Sequence, residues 1–173
     1  PGQGEEGTIE KVQERRNLFY RQDEIRTKSF AANLDQILIL IAAEPVFSES
    51  QLVRALVAAE AAHIKPIIAL NKSDLAGPFA AAWARLQPYC HIAGKDGQPH
   101  YPVLGLSLNA NPQAQRAELL PYLEGKTTLV LGPSGAGSQL LSRFLPGESR
   151  WIKMVSEPSG FFFMSGSMGE LIR

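Results

Sequence analysis

The chain has 173 residues, of which 45% are hydrophobic and 20% charged, enough apolar content to bury one full core and too much for a disordered chain. Its 17 Lys and Arg balance 17 Asp and Glu, so there is no net field, and bulk electrostatic binding of RNA finds no support in composition.

Residues 8–12 have the apolar pattern of a strand and read as the last strand of a barrel. Residues 15–28 read as a polar connector with a basic bias: between 10 and 28, Lys11, Arg15, Arg16, Arg21, Arg26 and Lys28 outnumber Glu10, Glu14, Asp23 and Glu24. That bias fits a solvated connector, or an RNA-facing rim. Residues 37–41 are all isoleucine or leucine, which suits a strand buried on both faces. Leu52, Ala55, Leu56 and Ala59 share one face of an expected helix over 48–62, capped by Ser48. A second strand, 64–70, runs into Asn71-Lys72-Ser73-Asp74-Leu75. A helix over 79–86 follows, then a strand over 101–106 that ends at Ser107-Leu108-Asn109. Residues 113–123 read as a helix and 127–131 as a strand. The latter empties into Gly132-Pro133-Ser134-Gly135-Ala136-Gly137-Ser138-Gln139, after which Leu140, Leu141 and Phe144 recur at helical spacing. Near the end, Phe161-Phe162-Phe163-Met164 looks like a core strand, and Trp83 and Trp151 read as packing residues.

Strands alternating with helices imply an α/β fold with a parallel-rich central sheet and right-handed crossovers. Ligands of such sheets bind beyond the carboxyl ends of the strands. Asn71, Ser107 and Gly132 each follow a predicted strand, so three segments are expected to meet at one edge.

Asn71, Lys72 and Asp74 form N-K-x-D, a pattern suited to reading guanine. A carboxylate just past a strand end accepts hydrogen bonds from guanine N1 and N2, whereas adenine offers no matching donor pair and would leave the site unpaired. The Asn71 amide can serve O6 and N7 and brace neighbouring loops, and the Lys72 stem can lie over the base. The same letters are also ordinary turn chemistry, an Asx turn capping the next helix. Residues 132–139 have the frame of a phosphate-binding loop, in which glycines let successive N–H groups converge on phosphate oxygens before a helix N-terminus. The full pattern continues with Lys and then Ser or Thr. Here Ser138 and Gln139 hold those positions, which removes the cation that grips the β and γ phosphates and the hydroxyl that would meet magnesium.

The base-reading motif lies about sixty residues before the phosphate loop, the reverse of the order in ordinary small GTPases. With Gly7-Thr8-Ile9-Glu10-Lys11-Val12, Arg15-Arg16-Asn17, the segment 18–21, Asn33-Leu34-Asp35-Gln36, Phe47, Arg54 and the segment 66–75, the chain resembles the RsgA/YjeQ family of ribosome-associated GTPases over residues 7–147. The resemblance implies a P-loop NTPase-like, circularly permuted G domain over residues 28–173, preceded over residues 1–27 by the last strand of an OB-type barrel and a connector. It implies a GTP hydrolase of small ribosomal subunit (30S) biogenesis, with GTP/GDP and Mg2+ as ligands and the subunit and its rRNA as partners. Base contacts carry over to Asn71, Lys72, Asp74, Leu75, Ser107 and Leu108, with Ser107 and Leu108 packing under guanine. Phosphate contacts carry over to Gly132, Pro133, Ser134, Gly135, Ala136, Gly137, Ser138 and Gln139.

The family's threonine-rich switch is missing, and Ser165-Gly166-Ser167-Met168-Gly169-Glu170 stands where its Asp-x-Pro-Gly should be. These are the groups that hold magnesium and sense the γ-phosphate, so no catalytic residue is assigned, and the resemblance is expected to stop at Glu148. Neither Ser165 nor Ser167 has a base at a suggestive spacing. Cys90 alone leaves neither a disulfide nor a multi-cysteine zinc site, and fits a reducing cytoplasm. His63, His91 and His100 lack metal-ligand spacing. No apolar run reaches the roughly 20 residues of a bilayer span, and the start, Pro-Gly-Gln-Gly, has no signal-peptide core and no methionine. A soluble, cytoplasmic protein without a membrane partner is expected, and its opening suggests an excised or partial chain. Besides the hydrolase, a guanine-nucleotide-binding assembly module with a degenerate phosphate loop fits the sequence, as does a less favoured P-loop enzyme of unrelated chemistry.

Overall fold

An antiparallel pair, β1 (Leu18–Gln22) and β2 (Thr27–Ala32), begins within the stretch 15–28 read from sequence as a polar connector and runs past its end. Phe19, Ala31 and Leu34 are buried in the main core cluster. Phe19 and Ala31 do not stand in an alternating apolar run, which is why periodicity alone hides the hairpin. The structure, a computed structural model, describes residues 14–22, 27–110, 112–141, 151–157 and 160–163. The strand expected over 8–12, and residues 164–170, lie outside them.

The elements that follow are β3 (Gln36–Ala42), α1 (Glu49–Ala61), β4 (Lys65–Asn71), α2 (Ala76–Cys90), β5 (Val103–Gly105), α3 (Pro112–Leu123), β6 (Thr128–Pro133), α4 (Ser138–Leu141), β7 (Trp151–Glu157) and β8 (Gly160–Phe163). They build a six-stranded sheet of order β5-β4-β3-β6-β7-β8. All pairings are parallel except that of β8 with β7. Every residue of β3 is buried, because it lies between two parallel neighbours, with Gln36 opposite Lys65 on one side and Thr128 on the other. Its alternate residues feed two cores. Ile37, Ile39 and Ile41 join Leu52, Leu56 and Leu86 of α1 and α2 on one face. Leu38 and Leu40 join Leu119 and Leu123 of α3 on the other.

The helices agree with their periodicity. Leu52, Ala55, Leu56 and Ala59 are the buried residues of α1, and the Ser48 hydroxyl accepts the Gln51 N–H at 3.4 Å. Trp83 stacks on Phe79, with ring centroids 5.6 Å apart. Helix α2 extends beyond the expected 79–86 at both ends. Strand β7 has no counterpart among the expected elements; it continues the sheet in register with β6, Thr128 opposite Trp151.

A polar junction ties the segment before β1 to the amino-terminal edge of the sheet. The Arg16 guanidinium donates to Asp35 Oδ1 at 3.0 Å and to the Asn33 carbonyl at 3.2 Å. Asn17 exchanges two bonds with Leu34, at 2.7 and 2.9 Å. The Thr127 N–H, one residue before β6, donates to Asp35 Oδ2 at 2.7 Å. That bond is the main cause that holds the Asp35 carboxyl below its ordinary value of 3.8; partial burial opposes it, and the Arg16 hydrogen bond and charge, with the charge of Lys126, reinforce it.

Candidate nucleotide site

Because β3, β4, β5 and β6 are parallel, their carboxyl ends open on one edge, and the loops that follow them meet there. Asn71, the last residue of β4, is the knot. It is 2% exposed, and both ends of its amide are used: Nδ2 donates to the Ala136 carbonyl at 2.9 Å, and Oδ1 accepts the Leu108 N–H at 3.0 Å. Its backbone carbonyl accepts the Ala43 N–H at 3.0 Å. One side chain therefore braces the loops after β5 and β6, and its backbone ties in the end of β3. In this structure the amide braces loops, the second of the two roles open to it in the sequence.

Lys72 adopts φ 71°, a left-handed conformation uncommon for a residue with a Cβ and enriched where backbone geometry serves a site. Its ammonium donates to the Glu44 carbonyl. The Leu75 N–H closes a turn onto the Lys72 carbonyl at 3.0 Å, and the Ser73 N–H donates to the Leu106 carbonyl at 2.8 Å. Leu75 stands at the amino end of α2 and makes no side-chain cap, and the side chains of Asn71 and Asp74 bond to Ala136, Leu108 and Ser107 instead of capping that helix.

Asp74 is exposed, and its Oδ1 accepts the Ser107 hydroxyl at 2.7 Å. An ionised carboxylate has roughly four lone-pair sites, so this bond orients Asp74 while leaving capacity for two N–H donors from a base edge. Leu108 lies in the core at 1% exposure, and its N–H is the group held by Asn71.

The loop after β6 needs its glycines for two different reasons. A Cβ on Gly132 would lie 2.4 Å from the Leu40 carbonyl oxygen, and one on Gly137 would lie 2.3 Å from Asn71 Nδ2. Gly135 and Gly137 also take φ values of 82° and 101°, which residues with a Cβ rarely adopt. The Ala136 N–H closes a turn onto the Pro133 carbonyl at 3.2 Å, and the Gly137 carbonyl accepts the Leu140 and Leu141 N–H groups at 2.9 and 3.0 Å. Among the described residues, no acceptor pairs with the N–H of Gly135 or of Gly137. Ser134 and Gly135 are exposed, as is Gln139, whereas Ala136 and Ser138 are buried. The turn thus presents backbone donors on a glycine scaffold, with no lysine in the position after Gly137.

Sequence reasoning missed the loop after β3. Glu44 receives Lys72, and the Pro45 ring lies 3.6 Å from where a Gly135 Cβ would be. The rule that ligands sit at strand carboxyl ends predicts four contributing loops for these strands, and the sequence motifs mark only three. Gln115, whose Oε1 accepts the Ser107 N–H at 2.9 Å, carries no sequence signal, because a glutamine near the start of a helix has no distinguishing pattern. His63 and His91 are exposed, and His100 Nε2 lies 2.7 Å from Glu60 Oε1. No helix among the described residues is long and apolar enough to cross a membrane.

Known proteins resemble this chain in sequence and fold. A family model described as RsgA GTPase matches residues 12–161. The match runs past Glu148, where the sequence resemblance was expected to stop, and takes in β7. The small ribosomal subunit biogenesis GTPase RsgA of Variovorax paradoxus (strain S110) is 61% identical over 154 residues, covering 88% of this chain and 46% of the relative. The protein of the same name from Paraburkholderia phytofirmans is 46% identical over 141 residues, covering 82% and 42%. Among solved structures, that of YjeQ from Thermotoga maritima aligns with a TM-score of 0.58 at 25% identity, over 88% of this chain and 52% of that one. The chain spans about half the length of the curated relatives it matches.

Proposed function

The chain belongs to the RsgA GTPase family, and from that premise we propose that it binds guanine nucleotide at the carboxyl edge of its sheet and hydrolyses GTP to GDP and phosphate in assembly of the small ribosomal subunit. The observation that carries this reading is the Asn71 amide, which holds the base-reading loop, the loop after β5 and the glycine turn together at 2.9 and 3.0 Å. Asp74, fixed by Ser107, accepts from guanine N1 and N2 in this reading; Lys72, Leu75 and Leu108 shape the base pocket; and residues 132–139 receive the phosphates. The subunit and its rRNA are the partners by kinship, and the cytoplasm is the compartment. The assignment of residues 1–27 to the end of an OB-type domain and its connector, and of 28–173 to the permuted G domain, rests on the same kinship; the β1–β2 hairpin straddles that boundary.

Hydrolysis requires water to attack the γ-phosphate while charge builds on its oxygens. This chain's contribution is positional: convergent N–H groups at the glycine turn and a clamp on the base. Magnesium at a bound nucleotide is held largely by phosphates and water, with one or two protein ligands. Gln139 stands where the loop pattern puts the hydroxyl ligand, so no step is drawn through the ion. Ser138 in place of the lysine favours a second reading, a guanine-nucleotide-binding assembly module without turnover. Phosphate release from GTP, measured with and without purified small subunits, separates the two. Turnover that rises when subunits are added supports the hydrolase; guanine binding with no turnover in either condition leaves the module.

A further inference from the structure

We propose that Gln115 is a positioning residue for guanine recognition, acting on Asp74 through Ser107; the proposal rests on the guanine reading above. Ser107 sits between two neighbours that are both tied to the end of β4. The Leu106 N–H donates to the Leu70 carbonyl at 2.8 Å, and the Leu108 N–H donates to Asn71 at 3.0 Å. The N–H of Ser107 is turned instead to α3, where Gln115 Oε1 accepts it at 2.9 Å. Its hydroxyl meets Asp74 at 2.7 Å. The chain of bonds from Gln115 through Ser107 to Asp74 therefore sets where the base-reading carboxylate points.

Gln115 is not what holds α3 in place. Leu119 and Leu123, each 2% exposed, anchor that helix in the second core cluster, while Gln115 is only half-buried. Removing its acceptor frees the Ser107 N–H and lets the loop rotate about its two anchored neighbours, which carries the hydroxyl away from Asp74. A carboxylate that must meet two donors at once is sensitive to such a rotation, because hydrogen bonds weaken steeply as their angles open.

The effect is read by comparing GDP with IDP, whose base keeps the N1–H of guanine but lacks the N2 amino group. Correctly aimed, Asp74 makes the wild-type chain prefer GDP over IDP by roughly tenfold or more, the worth of one hydrogen bond to a charged acceptor. Gln115→Met, close in volume but without an acceptor, is expected to bring the two affinities within about threefold while leaving ADP binding unchanged. Gln115→Ala, which removes the acceptor without adding bulk, must behave alike. Gln115→Glu keeps an acceptor and is expected to restore the preference. A merely structural role would weaken GDP and IDP by the same factor. A selective wild type whose GDP-to-IDP ratio survives in both Gln115→Met and Gln115→Ala overturns this proposal alone. A wild type that does not distinguish GDP from ADP overturns the guanine reading and this proposal with it.

Discussion

Asn71 and Ala136 stand 65 residues apart in the chain and are joined by a 2.9 Å hydrogen bond from the Asn71 side chain to the Ala136 carbonyl. With the Leu108 N–H on its other end, the amide satisfies two buried backbone groups that have no other partner among the described residues. Asn71→Ala leaves both unpaired, each at about 1–3 kcal/mol. The variant is expected to lose about 2–6 kcal/mol of stability, read as a lower urea midpoint with an unchanged slope. An unaltered midpoint would mean that the loops hold together without this side chain.

The glycines of the turn are expected to rank by what a Cβ would meet. Gly132→Ala and Gly137→Ala drive a methyl to 2.4 Å from the Leu40 carbonyl and 2.3 Å from the Asn71 amide, distances that force β6 or the turn to shift. Gly135→Ala meets only the Pro45 ring at 3.6 Å and pays chiefly for its positive φ, about 1–2 kcal/mol. Thermal unfolding of the three variants checks the order, with Gly135→Ala the mildest.

Much of this is legible from local pattern. The unbroken isoleucine and leucine run of β3 marks a strand buried on both faces, and Ser48 with Leu52, Ala55, Leu56 and Ala59 marks α1 and its buried face. The strand ends at Asn71 and Gly132 place two loops on the edge where they are found. The hairpin β1–β2 is hidden because its apolar residues, such as Phe19 and Ala31, pack on a distant core rather than forming a continuous run. The use of Asn71 as a brace, the reach of Lys72 to Glu44 and the bond of Gln115 to Ser107 depend on partners 8 to 65 residues away. Spacing along the chain does not encode such contacts.

The Asp35 junction makes stability depend on acid. Its folded carboxyl lies below 3.8, so its contribution is complete above that value and lost as pH falls through the lower, folded value. Asp35→Asn is expected to be less stable than wild type at pH 7, with the gap narrowing below about pH 4. Asp35 is one-third exposed and Arg16 more so, which keeps the gap modest. Parallel denaturation curves at pH 7 and pH 3 test this; a gap that does not narrow places the stabilisation elsewhere.

Restoring the missing charge should strengthen the grip on phosphate. Ser138→Lys combined with Gln139→Ser returns the residues of the full phosphate-loop pattern, and is expected to raise GTP affinity about tenfold or more, the scale of one charge-assisted contact. Binding of guanosine, which has no phosphate, should not change. Ser138 is buried, so a thermal melt of the double variant must accompany the titration. A folded double variant with unchanged GTP affinity would show that residues 132–139 do not meet the phosphates.

Titration of the wild-type chain and of Asp74→Asn with fluorescent GDP and ADP tests the guanine site most directly. The Ser107-held carboxylate predicts that wild type prefers GDP by at least about a hundredfold, because adenine leaves that carboxylate without its donors, and that Asp74→Asn loses this preference while ADP binding stays the same. Equal binding of GDP and ADP by wild type, or a preference that survives in Asp74→Asn, would contradict the assignment of Asp74 as the residue that reads the base.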